Sequence, residues 1–152
     1  MPFGEKTDVG GQTIDFDDVF EFLIKPPLEQ LKIEVIRCDK IPSSGSIHRD
    51  MLHHILHDDL AIVDITTLNP NVFYELGIRH TLRRSGTILL RREGTKNPFN
   101  IQGMKAFNYD LDMRSVANAQ KKLREAIEYL LAHPGDSDSL VHDVFPDLKI
   151  TP

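Results

Sequence analysis

The chain has 152 residues, of which 40% are hydrophobic, enough for one hydrophobic core but too few for two full domains. Its 18 Lys and Arg residues against 23 Asp and Glu give a formal net charge of -5, which argues against nucleic acid or an anionic membrane as a partner. A single cysteine, Cys38, excludes an internal disulfide and a cysteine-rich metal site. Because the apolar runs are short and the N-terminus lacks a secretion signal, we expect a soluble, cytoplasmic protein.

The first part of the chain carries a helical pattern followed by a β-branched run. Apolar residues such as Val19, Phe20 and Leu23 recur at helical spacing, and Pro26 and Pro27 should break or kink that helix. A polar stretch with two adjacent glycines predicts a loop before it. In chain order we predict a loop over 4–13, a helix over 15–31, a strand over 33–36 and a helix over 48–58.

The second part of the chain alternates strand and helix patterns. The run from Leu60 to Ile65 is almost continuously apolar, which is typical of a strand covered on both faces. Pro70 follows it and is a favourable start signal for the next helix. In chain order we predict a strand over 60–65, a helix over 72–82, strands over 87–90 and 106–111, and a helix over 115–133.

This short alternation indicates an α/β fold. We expect a three-layer, doubly wound, mostly parallel sheet with helices on both faces. One domain should span 1–135, followed by a polar C-terminal tail over 136–152 that docks on the body or on a neighbouring subunit. Since ligands of such folds bind beyond the carboxyl ends of the strands, the loops that follow the strands are the places to look for chemistry.

Four polar residues follow the most buried predicted strand. Asp64 ends the strand, Asn69 and Asn71 lie in the next loop, and Glu75 comes one turn into the following helix, so we expect all four to face one crevice. An acidic residue near a helix start is also stabilised by the helix dipole, which is the ordinary interpretation of Glu75. Apolar residues surround Glu75 in the sequence, however, and this favours a functional carboxylate.

The same segment carries a family resemblance. The run Ala61–Thr66 followed by Asn69–Gly77 resembles the signature of the nucleoside 2-deoxyribosyltransferase-like superfamily, including its TIR-like branch. Three further blocks resemble that branch: Met1–Gly4, Ser44–Ile47 and Pro98–Ile101. The resemblance covers about residues 1–111 and implies a flavodoxin-like or TIR-like arrangement of the sheet.

The resemblance implies cleavage of an N-glycosidic bond in a nucleoside, a nucleotide or NAD, without a cofactor. The nucleophile of the family falls on Glu75, and Asp64 matches a partner for the sugar hydroxyls or the departing base. A carboxylate suits this chemistry because the transition state resembles an oxocarbenium ion. Asn69 stands where the transferases carry an acid, so hydrolysis of a good leaving group such as nicotinamide is favoured over transfer between bases.

Other loops offer supporting contacts. Phe3 could stack on a base and Gly4 could leave room for a phosphate, although a lone Phe before Gly is more often part of a packed turn. Ser44 and Ser46 could present backbone N–H groups to a phosphate, or serve as an ordinary helix cap. Arg79 could pair with Glu75 or with a phosphate, and of these we expect the exposed ion pair with Glu75.

Metal chemistry is not expected. His53 and His57 have the spacing of two zinc ligands on one helix face, but nothing completes a zinc pattern, and we interpret them as part of a solvated polar face. We expect Cys38 to be a small buried apolar residue at a strand end.

Two alternatives to an independent enzyme remain open. The chain could be a sensing module that binds a nucleotide without cleaving it, or a TIR-like signalling or defence domain that acts through oligomerisation. A homo-oligomer is expected from the family, in which a neighbouring subunit often completes the active site. The family's first strand lies immediately before the Pro2-Phe3-Gly4 turn, so we also expect the natural domain to begin before Met1.

Overall fold

The N-terminal segment forms a small β-hairpin. The computed structural model describes residues 1–40 and 47–149. In it β1 (Glu5–Thr7) pairs antiparallel with β2 (Thr13–Asp15), with Lys6 opposite Ile14. Asp8 shapes the turn, because its Oδ1 accepts hydrogen bonds from the N–H groups of Gly10 and Gln12. The predicted loop over 4–13 is therefore wrong, since its two ends pair with each other through main-chain hydrogen bonds.

The predicted helix over 15–31 is present but changes its winding along its length. It consists of α1 (Phe16–Asp18), a π-helical stretch (Val19–Ile24) and α2 (Lys25–Gln30). Pro26 and Pro27 lie at the start of α2, immediately after the π-helical stretch. Because proline has no N–H group, the wider winding before it keeps the chain helical where the ordinary pattern would lose donors.

A three-stranded parallel sheet forms the centre of the described structure. It consists of β3 (Ala61–Asp64), β4 (Thr87–Arg92) and β5 (Ala106–Tyr109) in the order β3-β4-β5. Asp64 lies opposite Leu90, and Leu90 lies opposite Phe107. These three predicted strands are confirmed. The predicted strand over 33–36 is wrong: Ile33 and Val35 pack against the core, but no described strand pairs with them.

Helices flank this sheet and complete the core. They are α3 (Ile47–His57), α4 (Pro70–Leu82), α5 (Met113–Ala132) and α6 (Leu140–Val144). Ile88, Leu89 and Leu90 are all buried, and successive strand residues point to opposite faces, so both faces of β4 are covered. The main core joins β4 and β5 to the helical stretch 16–30 and to α5. The chain is thus a mixed α/β structure, and no helix in its described ranges is long and apolar enough to cross a membrane.

Candidate functional site

Asp64 ends β3 inside the protein rather than in an open crevice. The residue is fully buried, and its Oδ1 accepts hydrogen bonds from the Thr66 N–H at 2.9 Å and the Thr66 hydroxyl at 2.5 Å. Its Oδ2 accepts one from the Tyr109 hydroxyl at 2.6 Å. Burial raises the pKa of Asp64, and these donors oppose that rise. The Oδ2 bond therefore ties the end of β3 to the end of β5, while the Oδ1 bonds fix the chain that follows β3.

The same network reaches the N-terminal hairpin. The Thr66 hydroxyl accepts a hydrogen bond from the Arg92 N–H at 2.9 Å. The Arg92 guanidinium lies 3.1 Å from carboxylate oxygens of both Asp8, in the hairpin turn, and Asp110, after β5. The Asp8 pKa is lowered chiefly by the Gln12 N–H and further by Arg92. The carboxyl edge of the sheet is thus bound to the hairpin through charged side chains.

Tyr109→Phe tests how much the buried network contributes to stability. Burial raises the pKa of the Tyr109 phenol, so it stays protonated and donates to Asp64. Without it the buried carboxylate loses a donor, and we expect the free energy of unfolding at pH 7.5 to fall by about 1–3 kcal/mol. Because the folded-state pKa of Asp64 is raised, its ionisation costs stability as the pH rises. The difference in free energy of unfolding between the variant and wild type should therefore become smaller as the pH falls and Asp64 becomes protonated.

Urea unfolding at pH 7.5 and pH 4.5 measures both effects. Tyr129→Phe is the matched control, since Tyr129 is exposed and also donates to a carboxylate, that of Asp136, at 2.6 Å. The control should change stability little at either pH. Equal losses in the two variants would contradict the assignment of the buried network.

The start of α4 places Glu75 just beyond β3. Asn69 is the N-cap of the helix, and its side-chain oxygen accepts a hydrogen bond from the Asn71 N–H at 2.8 Å. This contact uses the Asn69 oxygen and leaves its NH₂ group as the donor side of the amide. Asn71 is exposed and Glu75, in the second turn, is half-buried. The loop expected to present these residues is therefore a capped helix start.

The charge of Glu75 acts on the thiol of Cys38. Burial raises the pKa of the Cys38 thiol, the N-terminal ammonium lowers it, and the charges of Glu75, Asp58 and Asp39 raise it. The same ammonium also lowers the pKa of Asp64. Cys38, Glu75 and the N-terminus therefore lie within electrostatic reach of one another, near the carboxyl end of β3.

Cys38 differs from its sequence interpretation. It lies in a 3₁₀ turn (Cys38–Lys40) rather than at a strand end. The residue as a whole is exposed, although its thiol is shielded enough for burial to raise its pKa. The expectation of a small buried residue is therefore wrong. Nothing in the sequence around Cys38 signalled that the charge of Glu75 reaches its thiol, because the two residues belong to separate elements.

The N-terminal turn is fixed by an acidic residue. The Gly4 N–H donates to Asp17 Oδ1 at 3.1 Å, and the same oxygen lies 2.6 Å from the Arg37 guanidinium. Gly4 has a φ of +62°, a conformation that favours glycine. Phe3 is 53% exposed, with the Lys6 ammonium 5.5 Å from its ring centre. The Phe3 ring is therefore accessible to a ligand, whereas the Gly4 N–H is already bonded.

The remaining predicted residues fall in two groups. Ser44 and Ser46 lie outside the described residues. His53 and His57 are exposed with ring centres 4.3 Å apart, and no group of three or more potential ligands in the described ranges could hold a metal ion.

An open apolar depression of about 500 Å³ lies on the outer face of α4, lined by Phe73, Tyr74, Gly77, Ile78, Thr81 and Leu82. None of these side chains is a carboxylate, a base or a thiol.

Arg79 corrects the expectation of an exposed ion pair. It is 1% exposed, and its guanidinium donates to the carbonyl oxygens of Ile55, Asp58, Asp59 and Gly86 at 2.6–3.2 Å. The first three carbonyls belong to the end of α3 and the turn that follows. Burial, with a contribution from Arg83, lowers the pKa of Arg79 to about 10, so it remains charged at neutral pH. Arg79 therefore joins α4, the helix of Glu75, to the end of α3.

Comparisons of the chain with models of protein families, with curated proteins and with solved structures find no match. The resemblance carried by residues 61–77 thus remains an expectation from the sequence. The function must be argued from the site itself.

Proposed function

We propose that this chain cleaves the N-glycosidic bond of a nucleoside or nucleotide, with Glu75 as the nucleophile or as the anion that stabilises the oxocarbenium ion. The observation that carries the proposal is the position of Glu75. A half-buried carboxylate stands in the second turn of the helix that follows β3, where α/β folds bind their ligands. The family resemblance of the same segment supports this assignment.

The proposed step breaks the bond between the anomeric carbon and the base nitrogen. The bonding electron pair leaves with the base, while the Glu75 carboxylate bonds to the anomeric carbon or stabilises its positive charge. Water then attacks the anomeric carbon and gives up a proton to solvent, which leaves the hydroxyl group of the sugar product. Where Glu75 has formed a covalent bond, that bond breaks in this step and its electron pair returns to the carboxylate. The exposed Phe3 ring would stack on the base.

The surroundings of Asn69 favour a leaving group that needs no protonation. Its side-chain oxygen is used by the helix cap, and an amide cannot act as a general acid. A pyridinium base such as the nicotinamide of NAD leaves as a neutral molecule, whereas most bases leave more easily when protonated. We therefore propose NAD or a related pyridinium nucleotide as the preferred substrate.

Asp64 enters this proposal as a positioning residue. Its two oxygens accept three hydrogen bonds from Thr66 and Tyr109 inside the protein, so contact with a sugar would require these bonds to break. We infer that Asp64 fixes the end of β3, from which the loop to Glu75 departs.

The proposal extends to the layering of the fold and to its assembly. We infer that the domain is a doubly wound, three-layer α/β fold and that it assembles as a homo-oligomer. The burial of both faces of β4 supports the layering. Activity that rises more steeply than protein concentration would support the assembly.

The test is incubation of the full chain with a pool of NAD, nucleosides and nucleotides, followed by mass spectrometry of the released bases. We expect wild-type protein to release a base and Glu75→Gln to lower that release at least about 100-fold, because the amide cannot supply the negative charge. Glu125→Gln on α5 is the matched control, since Glu125 is exposed and lies on a different helix. Undiminished release by the Glu75 variant, with an unchanged circular dichroism spectrum, would overturn the assignment.

A second candidate is a module that binds a nucleotide without cleaving it. The internal bonding of Asp64 favours it, because both oxygens of that carboxylate accept hydrogen bonds inside the protein instead of meeting a substrate. In that case calorimetry would detect nucleotide binding while no base appears at any protein concentration.

A further inference from the structure

The C-terminal strap, residues 134–148, packs on α4 and the start of β4. The Ser139 hydroxyl is fully buried and donates to the carbonyl oxygen of His80 at 2.6 Å. The Asp138 N–H donates to the Arg84 carbonyl at 3.0 Å, and Asp138 Oδ2 accepts from the Thr87 N–H at 2.8 Å. The polar tail is thus docked on its own chain by hydrogen bonds that lie largely out of solvent.

Two imidazole nitrogens in this region are buried without a hydrogen-bond partner. Within the described part of the chain these are His80 Nε2 and His142 Nε2. His80 on α4 and His142 on α6 are each 6% exposed. Burial without a hydrogen-bond partner costs a neutral imidazole far less free energy than an imidazolium ion, which would need a nearby acceptor or water.

We propose that His80 is an acid-sensitive latch: its protonation releases the C-terminal strap from α4. The charged groups around it make the docked, protonated state unfavourable. Arg79 adjoins it on the same helix with a buried guanidinium, and Ser139 of the strap bonds to the main-chain carbonyl of His80 itself. Once the strap has left, water can solvate the imidazolium ion.

The direction of the pH effect follows from the ionisation of His80. Burial, and then Arg79, lower its pKa from 6.5 to about 4 in the docked state. The contribution of neutral His80 to docking is therefore complete above pH 6.5 and is lost as the pH falls towards 4. Asp138 acts in the opposite direction. Burial raises the pKa of its carboxyl in the docked state, so protonation of Asp138 at lower pH favours docking. Arg84, which donates to the carbonyls of Gly135 and Pro146, does not titrate in this range.

Release of the strap would act on the helix of the candidate site. Ser139 bonds to His80, which lies in the last turn of α4, whereas Glu75 lies in its second turn. Acidification would therefore loosen the C-terminal end of α4 while the Asn69 cap holds its beginning. This inference does not depend on the proposed enzymatic activity.

Hydrogen–deuterium exchange of the full chain at pH 7.5 and pH 5.0 tests the latch. After correction for the intrinsic exchange rate, protection of the amides over 140–145 should fall at pH 5.0 by up to about 30-fold, the factor that pKa values of 6.5 and about 4 imply for His80 before the opposing effect of Asp138. Amides over 119–127 of α5 should keep their protection, which separates release of the strap from global unfolding. Constant protection of the strap, or an equal loss in α5, would overturn the proposal.

Matched variants identify the responsible group. His80→Gln should remove the pH dependence, because the amide does not titrate, and His142→Gln should retain it. Asp138→Asn should make the loss at pH 5.0 larger, since the opposing carboxyl is gone. A pH dependence that survives in His80→Gln but disappears in His142→Gln would contradict the assignment to His80. The wild-type measurement remains decisive if a variant fails to fold.

Discussion

Replacing Gly86 by alanine is expected to lower the free energy of unfolding by about 3–5 kcal/mol, the largest effect of an alanine substitution at any described glycine. Gly86 has a φ of +92°, and a Cβ there would overlap the carbonyl oxygen of Asp59 and lie 3.0 Å from Arg79 Nη2. Asp59 follows α3 and cannot move freely, because its carbonyl also accepts from Arg79. Either β4 or the end of α3 would have to shift.

Gly77→Ala is the matched control for this prediction. Gly77 lies within α4, where an added Cβ would meet no atom within 4 Å. Alanine is the better helix former, so this variant should gain about 0.5–1 kcal/mol of stability. Chemical denaturation of both variants, monitored by circular dichroism, gives the comparison. If Gly86→Ala were as stable as wild type, the close contact between β4 and the end of α3 would not exist as described.

The elements of the chain could be predicted where their patterns are local. The apolar run through Val63 indicated a strand, although β3 is half-buried before Asp64 and β4 is the more buried strand. The periodicity of α5, with Pro134 beyond its end, indicated the longest helix, which in the structure begins two residues earlier, at Met113. The hairpin was missed because both strands have only three residues and β1 is exposed throughout, so Glu5 and Lys6 carry no alternating pattern. The run at 33–36 has strand-forming residues, but strand formation also requires a neighbour, and sequence composition does not reveal one.

The candidate site was predicted less completely because its contacts join distant residues. The position of Glu75 followed from its distance after β3. The burial of Asp64 did not, because its partner Tyr109 lies 45 positions away. Arg79 was expected at the surface because arginine is usually exposed. Its acceptors are main-chain carbonyls 20–24 residues earlier or 7 residues later, and no residue type in the sequence indicates such acceptors.

Polar contacts at both ends of α4 help to hold the helix that bears Glu75. Asn69 caps its beginning, and in its last turn Arg79 joins it to the end of α3 while Ser139 bonds to the carbonyl of His80. The first contact is local, whereas the other two depend on segments that pack from elsewhere in the chain. Mutations at Arg79 should therefore affect stability and the position of Glu75 together, and mutations at Ser139 should act chiefly on the far end of the helix.

Arg79→Met is expected to lower the free energy of unfolding by about 2–4 kcal/mol, because the buried carbonyls of the α3–α4 junction lose their shared donor. Methionine keeps much of the side-chain length, so loss of packing is not the main cause. Arg79→Lys should retain part of the stability, since one ammonium can reach some of these oxygens but cannot span all four. Urea unfolding at pH 7.5 gives the three values.

The control for Arg79 is Arg83→Met, one turn further along the chain. Arg83 pairs with Asp59 at 3.2 Å, but Asp59 is 91% exposed, and such surface pairs contribute little to stability. We therefore expect this variant to unfold close to wild type. Hydrogen exchange over 55–60 adds a local measurement, because the end of α3 should lose protection in Arg79→Met and keep it in Arg83→Met. Equal stability of the two variants, or unchanged protection over 55–60 in both, would show that Arg79 does not join the two helices.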